Sequence, residues 1–241
     1  MRGLLRHPRA TGRSSWTIVA VVVTLLVLLA WSFGRGWQAD RPPAAETSEP
    51  AGPPWRYGRS DARFTVVEYA DLECLYCKAY FPVLKRWIDA HADVNWQWHH
   101  LPLPMHEPAA TRAARLAECA GEVGGQASFW NAVAWIHSNT LGNGQGLPSE
   151  VQLPGATSAL HECLSSTRPD SIIRAQAEDA LQAGIAATPT LRLIDNRTGR
   201  SLLLPGAVEG DALLSAVDLL AASSDETTNE IPADSTDDVE R

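Results

Sequence analysis

Hydrophobic positions fall into distinct regimes along the chain. Residues 14–34 carry no charge, and 18–30 read Ile-Val-Ala-Val-Val-Val-Thr-Leu-Leu-Val-Leu-Leu-Ala. Residues 60–222 instead show short apolar runs with strand or helix period, separated by Gly, Pro and polar clusters. In that region Phe64–Ala70 reads as a buried strand. Cys74–His91 reads as a helix with Tyr80, Phe81, Leu84, Trp87 and Ile88 on one face, and Pro82 is expected to kink it. Val94–His100 alternates as a strand and Leu101–Pro104 ends it. Pro108–Val123 is a helix that Gly124-Gly125 should stop, and Ser128–His137 a second, short one. Thr140–Pro154 is a loop, and Thr157–Ser165 and Pro169–Ala183 are helical. Thr190–Asp195 and Ser201–Pro205 are strands joined by the turn Asn196–Gly199, and Asp211–Ala222 closes with an amphipathic helix. The first two strands, joined by a helix, should be parallel, and the last two antiparallel. The expectation is an α/β domain with a mixed sheet and helices inserted in its middle.

The flanks read differently. An 18-residue helix from Trp16 to Phe33 would span roughly 27 Å, enough for a bilayer core. Tryptophans flank it, and residues 1–15 hold Arg2, Arg6, Arg9 and Arg13 with no acid, so this basic segment should stay cytoplasmic. A cleaved signal peptide competes with a signal anchor over 16–33, but no Ala-x-Ala pattern follows the apolar run. Residues 34–59, with Pro42, Pro43, Pro50, Pro53 and Pro54, read as a linker. Residues 223–241 read as a disordered acidic tail.

Net charge is −8, with residues 1–54 basic on balance and 223–241 strongly acidic. The domain between has no basic cluster, which argues against nucleic acid as a partner.

Chemistry concentrates in the four cysteines, Cys74, Cys77, Cys119 and Cys163. Cys74-Leu-Tyr-Cys77 follows a strand and opens a helix. The unpaired N–H groups of a helix start favour a thiolate at Cys74. Cys77 lies one turn on, where it can close or release a disulfide. A metal-bound or inert pair is the competing reading. His99, His100 and His106 lack the finger-type spacing that would join the pair in a zinc site, so neither metal nor cofactor is expected. Cys119 and Cys163, 44 residues apart, could be buried thiols or a redox shuttle. In an oxidising compartment a structural disulfide is favoured.

The segment Glu68-Tyr-Ala-Asp-Leu-Glu-Cys-Leu-Tyr-Cys-Lys78 resembles the active-site segment of DsbA-like thiol-disulfide oxidoreductases. Leu101-Pro-Leu, His106, the stretch Ala109–Gly121, Phe129-Trp130 and Gly184–Thr190 are similar to later parts of that family, in order, from about Tyr57 to Leu220. The resemblance implies a thioredoxin fold over 60–222 with a helical subdomain inserted at about 107–181. It implies dithiol–disulfide exchange on exported proteins, with a membrane redox partner that reoxidises or reduces the pair. Together with the anchor expected over 16–33, the location expected is the inner (cytoplasmic) membrane, single-pass, with the domain in the periplasm or extracytoplasmic space. Cys74 would be the nucleophile and Cys77 the resolving cysteine.

Thr188-Pro189 would form a cis-proline loop facing the pair, against a plain trans proline at a strand start. Glu68 would be a buried acid passing protons to or from Cys77, against an edge position pointing to water. Many members carry proline after the first cysteine where this chain has Leu75. That departure leaves the direction of electron flow open. Oxidation of exported proteins is the expected role, with an isomerase or reductase, or a non-catalytic tethered chaperone or binding module, as the alternatives.

Overall fold

The computed structural model describes residues 22–23 and 52–225, of which 52–225 belong to one compact unit. The expected anchor over 16–33 and the basic segment 1–15 lie outside the described residues, apart from Val22 and Val23. So do residues 34–51 of the linker and 226–241 of the tail. No helix among the described residues is long and apolar enough to cross a membrane.

The sheet has five strands: β1 (Arg56–Tyr57), β2 (Phe64–Ala70), β3 (Val94–His100), β4 (Thr190–Asp195) and β5 (Ser201–Pro205). Their spatial order is β1-β3-β2-β4-β5. β2 and β3 run parallel, with Glu68 opposite Trp98. Every other pair is antiparallel. The parallel pair is joined by α1 (Leu75–Ala90), which runs unbroken through Pro82. Between β3 and β4 come α2 (Ala109–Asn139), α3 (Ser158–Ser165) and α4 (Arg168–Gln182), and α5 (Gly210–Asp225) closes the fold.

Central β2 is buried along its whole length because both of its faces are covered. One face carries Phe64, Val66 and Ala70. They pack with Trp96 and Trp98 of β3, Phe81 and Leu84 of α1, Phe129 and Val133 of α2, and Leu213 and Leu220 of α5. The other face carries Val67 and Tyr69 against Leu101, Ala180 and Ile185. The expected break at Gly124-Gly125 is present as a kink, where Gly125 takes φ 74° and interrupts α2. Cys119 and Cys163 are joined by a disulfide with Cα atoms 5.6 Å apart, which staples α2 to α3. A loop of that length stabilises by about 4 kcal/mol in the chain-entropy account.

Two boundaries are corrected. The linker does not extend to residue 59, because Trp55 is 1% exposed and Arg56–Tyr57 pair with Gln97 and Trp96. Trp55 stacks on Phe129 and lies over Gly121, where an added Cβ would come within 2.5 Å of its ring. Burial of that indole outweighs the extended bias of the preceding prolines. At the other end the backbone of α5 continues to Asp225, past the expected start of the tail at 223.

Candidate active site

β2 ends at Ala70, and three residues carry the chain to Cys74, which caps the N-terminus of α1 with φ −75° and ψ 121°. Its carbonyl accepts the first helical bond, from the Lys78 N–H at 3.0 Å. Cys74 and Cys77 are both free thiols, and both are buried. Their acidities diverge. Hydrogen bonding with the Cys77 thiol is the largest influence on Cys74. Burial opposes it, and the Thr188 side chain and the N–H groups of Cys77 and Tyr76 assist it. Together they lower Cys74 to about 5. Burial drives Cys77 well above the usual thiol value, and the negative charges of Cys74 and Glu68 add to the effect. One sulfur is thus built to be a thiolate and the other to hold a proton.

The Thr188–Pro189 peptide is cis. It sets Thr188 beside Cys74, whose Sγ lies 3.5 Å from the Thr188 carbonyl oxygen. Glu68 is 1% exposed on the central strand, so the edge reading of this residue is corrected. Neither of its carboxyl oxygens has a hydrogen-bond partner. Burial, opposed by the nearby Trp96 indole and reinforced by negative charge at Cys74, raises it to about 8. A carboxyl in that state keeps its proton at neutral pH beside Cys77.

Sequence reasoning missed the residues that support this pair. Asp71 accepts from the Glu73 N–H at 2.8 Å, the Leu103 N–H at 2.9 Å and His106 Nδ1 at 2.7 Å. Glu73, fully buried, accepts from the Thr140 hydroxyl and from the Gly146 N–H at 2.8 Å. Lys78 donates to the Thr140 carbonyl at 2.7 Å. Acids at 71 and 73 beside a CxxC were a visible signal, but apart from the Glu73 N–H their partners lie 32 to 73 residues away.

The histidines weighed as zinc ligands each bond elsewhere. His99 meets the Gln176 carbonyl at 2.6 Å and His106 meets Asp71. The Trp98 indole donates to His100 Nδ1, which leaves Nε2–H to face Glu118 at 3.0 Å. Among the described residues no group of three or more His, Cys, Asp or Glu is arranged to hold a metal ion.

The family model described as Thioredoxin matches residues 51–202. DsbA2 of Pseudomonas aeruginosa is 48% identical, covering 70% of this chain and 94% of that one, with TM-score 0.67. A thioredoxin-like oxidoreductase from Silicibacter pomeroyi, at 23% identity, covers 72% of this chain and 94% of that one. It shares the fold with TM-score 0.53. A Na(+)/H(+) antiporter NhaA 3 from Salinispora tropica is 32% identical over 135 residues, 55% of this chain and 20% of the antiporter. The chain thus spans about a fifth of the length of the curated relatives it first matches. A match over most of the folded unit, joined to a low-pKa cysteine at a helix start and a cis-proline loop facing it, leads to one conclusion: the chain belongs to the thioredoxin family, as a DsbA-like thiol-disulfide oxidoreductase.

Proposed function

We propose that this oxidoreductase works in the oxidising direction on exported proteins, with Cys74 as nucleophile and Cys77 as resolving cysteine. The observation that carries the reading is the opposed acidity of the two sulfurs, Cys74 at about 5 and Cys77 far above it. A client thiolate attacks Cys74 of the Cys74–Cys77 disulfide, forming a client–Cys74 bond and releasing Cys77 as a thiolate. Cys77 takes a proton, and Glu68 would give it; the value of about 8 that keeps this buried acid protonated at neutral pH supports that role. A second client thiolate then attacks the client sulfur of the mixed disulfide, and Cys74 leaves as a stable thiolate. The client gains a disulfide, and two electrons rest on the Cys74–Cys77 dithiol. A low-pKa leaving group favours this direction. The cis Thr188–Pro189 loop would align the client's extended backbone beside Cys74.

The domain is proposed to act outside the cytoplasm, held to the inner membrane by residues 16–33, with a membrane redox partner that reoxidises the dithiol. The apolar, uncharged run of 16–33 and the arginines before it support the anchor.

Cys74→Ser tests the chemistry. It should abolish client oxidation, while Cys77→Ser should accumulate mixed disulfides through Cys74. Exchange activity surviving Cys74→Ser would sink the assignment. For the anchor, the full chain should stay in the membrane fraction after carbonate extraction, and release into the soluble fraction would refute it.

A further inference from the structure

We propose that the loop from Thr140 to Gly146 is a positioning element for the redox pair, clamping the first turn of α1 so that its N–H groups stay aimed at the Cys74 sulfur. Three residues bracketing those N–H groups are attached to this one loop. Before them, Glu73 takes the Thr140 hydroxyl and the Gly146 N–H on its carboxyl, and the Asn143 N–H on its carbonyl at 2.7 Å. Within the turn, Leu75 lies over Gly142, where an added Cβ would come within 2.4 Å of Leu75 Cδ2. After them, Lys78 donates to the Thr140 carbonyl.

The loop itself is braced. The Thr140 hydroxyl also accepts from the Gly142 N–H at 3.0 Å. Gly144 sits against the His106 backbone, where a Cβ would fall 3.0 Å from His106 Cα, and Asp71 holds that segment through His106 and Leu103. The arrangement closes a ring from Asp71 through 103–106 and 140–146 back to Glu73.

Chemistry gives the ring a purpose. The N–H donors of Tyr76 and Cys77 assist the thiolate, after the larger effect of the Cys77 thiol. A shift of those donors by a few tenths of an ångström weakens a charge-assisted bond without unfolding anything. A leucine after the nucleophile leaves the backbone of that turn freer than a proline would. Leu75 instead gains its restraint from the notch at Gly142. Gly142, at φ 77°, is both open enough and left-handed enough to provide it.

The inference rests on Cys74 as nucleophile, and the test separates the two. The Cys74 titration midpoint would be read by thiolate absorbance, and the equilibrium constant with glutathione measured alongside. Both would be followed in wild type, Thr140→Val, Thr140→Ser and Gly142→Ala, none of which alters the charge of the helix. Wild type should titrate near 5. Thr140→Val and Gly142→Ala should raise the midpoint by about one unit, leaving roughly tenfold less thiolate at low pH. The equilibrium should move about as far toward the disulfide. Thr140→Ser, which keeps the hydroxyl, should behave as wild type. In a Leu75→Ala background Gly142→Ala should have a smaller effect than alone, since the added Cβ then has room. Cooperative unfolding with an unmoved midpoint and equilibrium constant in Thr140→Val and Gly142→Ala would overturn the clamp. A wild-type midpoint near the ordinary thiol value would overturn the nucleophile reading instead.

Discussion

Glu68 and Glu73 are two buried glutamates five residues apart, 1% and 0% exposed, one on each side of the turn that leads to Cys74. Glu68 has no hydrogen-bond partner on either oxygen, and burial lifts it to about 8. Glu73 is engaged on both oxygens, by Thr140 and Gly146. Burial is therefore not what distinguishes them. Partners decide: the unpartnered acid is pushed toward its protonated form, and the partnered one holds a loop. The unpartnered acid costs stability and the partnered one contributes it.

That contrast can be broken by removing each acid in turn. The largest effect belongs to Glu73→Leu, which removes the acceptor shared by the Thr140 hydroxyl and the Gly146 N–H in the interior. Each such group costs about 1–3 kcal/mol, so urea unfolding of the reduced protein should show a loss of roughly 2–6 kcal/mol. A neutral result would mean the ring around Glu73 holds nothing.

Glu68→Leu should act with the opposite sign. The folded value of about 8 lies above the ordinary 4.5. Between those values the folded chain holds a proton that the unfolded chain has shed, so stability falls as pH rises through that window. Removing the acid removes the loss. At ~1.36 kcal/mol per pKa unit, the variant should gain about 3 kcal/mol at pH 7 and less than about 1 kcal/mol at pH 5. A gain that does not grow with pH would show that Glu68 ionises normally. If Glu68 serves Cys77 as proposed, client oxidation should slow at the same time.

Two smaller changes sharpen the comparison. Glu73→Gln keeps an acceptor for Thr140 but turns an N–H toward the Gly146 N–H, and should cost about 1–3 kcal/mol. Thr140→Val removes the hydroxyl's bonds to Glu73 and to the Gly142 N–H and should cost about 1–3 kcal/mol, read as a fall in the urea midpoint with an unchanged slope. If Gln at 73 were as harmful as Leu, the Thr140 bond would contribute nothing.

The contrast also marks how far the sequence could be read. Strands 64–70, 94–100, 190–195 and 201–205 follow from apolar runs bounded by Gly, Pro and Asp, and the structure places them at those residues. An acid inside the apolar run at Glu68 was visible as an anomaly. Whether it faced water or the core depended on β4 pairing along the far edge of β2, which no local pattern contains. The two-residue β1 escaped notice because it is too short for a period and follows prolines, although Trp55 was a hint. Glu73 and Thr140 escaped because their bond joins positions 67 residues apart. Local chemistry announced the cysteines, whereas the groups that aim them exist only once the chain has folded.

The central claim is that Cys74–Cys77 is an oxidant, and the reduction potential of that pair, measured by equilibration with glutathione, tests it most directly. The account predicts a value toward roughly −120 mV, as for the strong oxidant DsbA, because the reduced form is stabilised as a Cys74 thiolate. A value toward roughly −270 mV, as for thioredoxin, would contradict it and make the protein a reductant or isomerase that needs an electron supply.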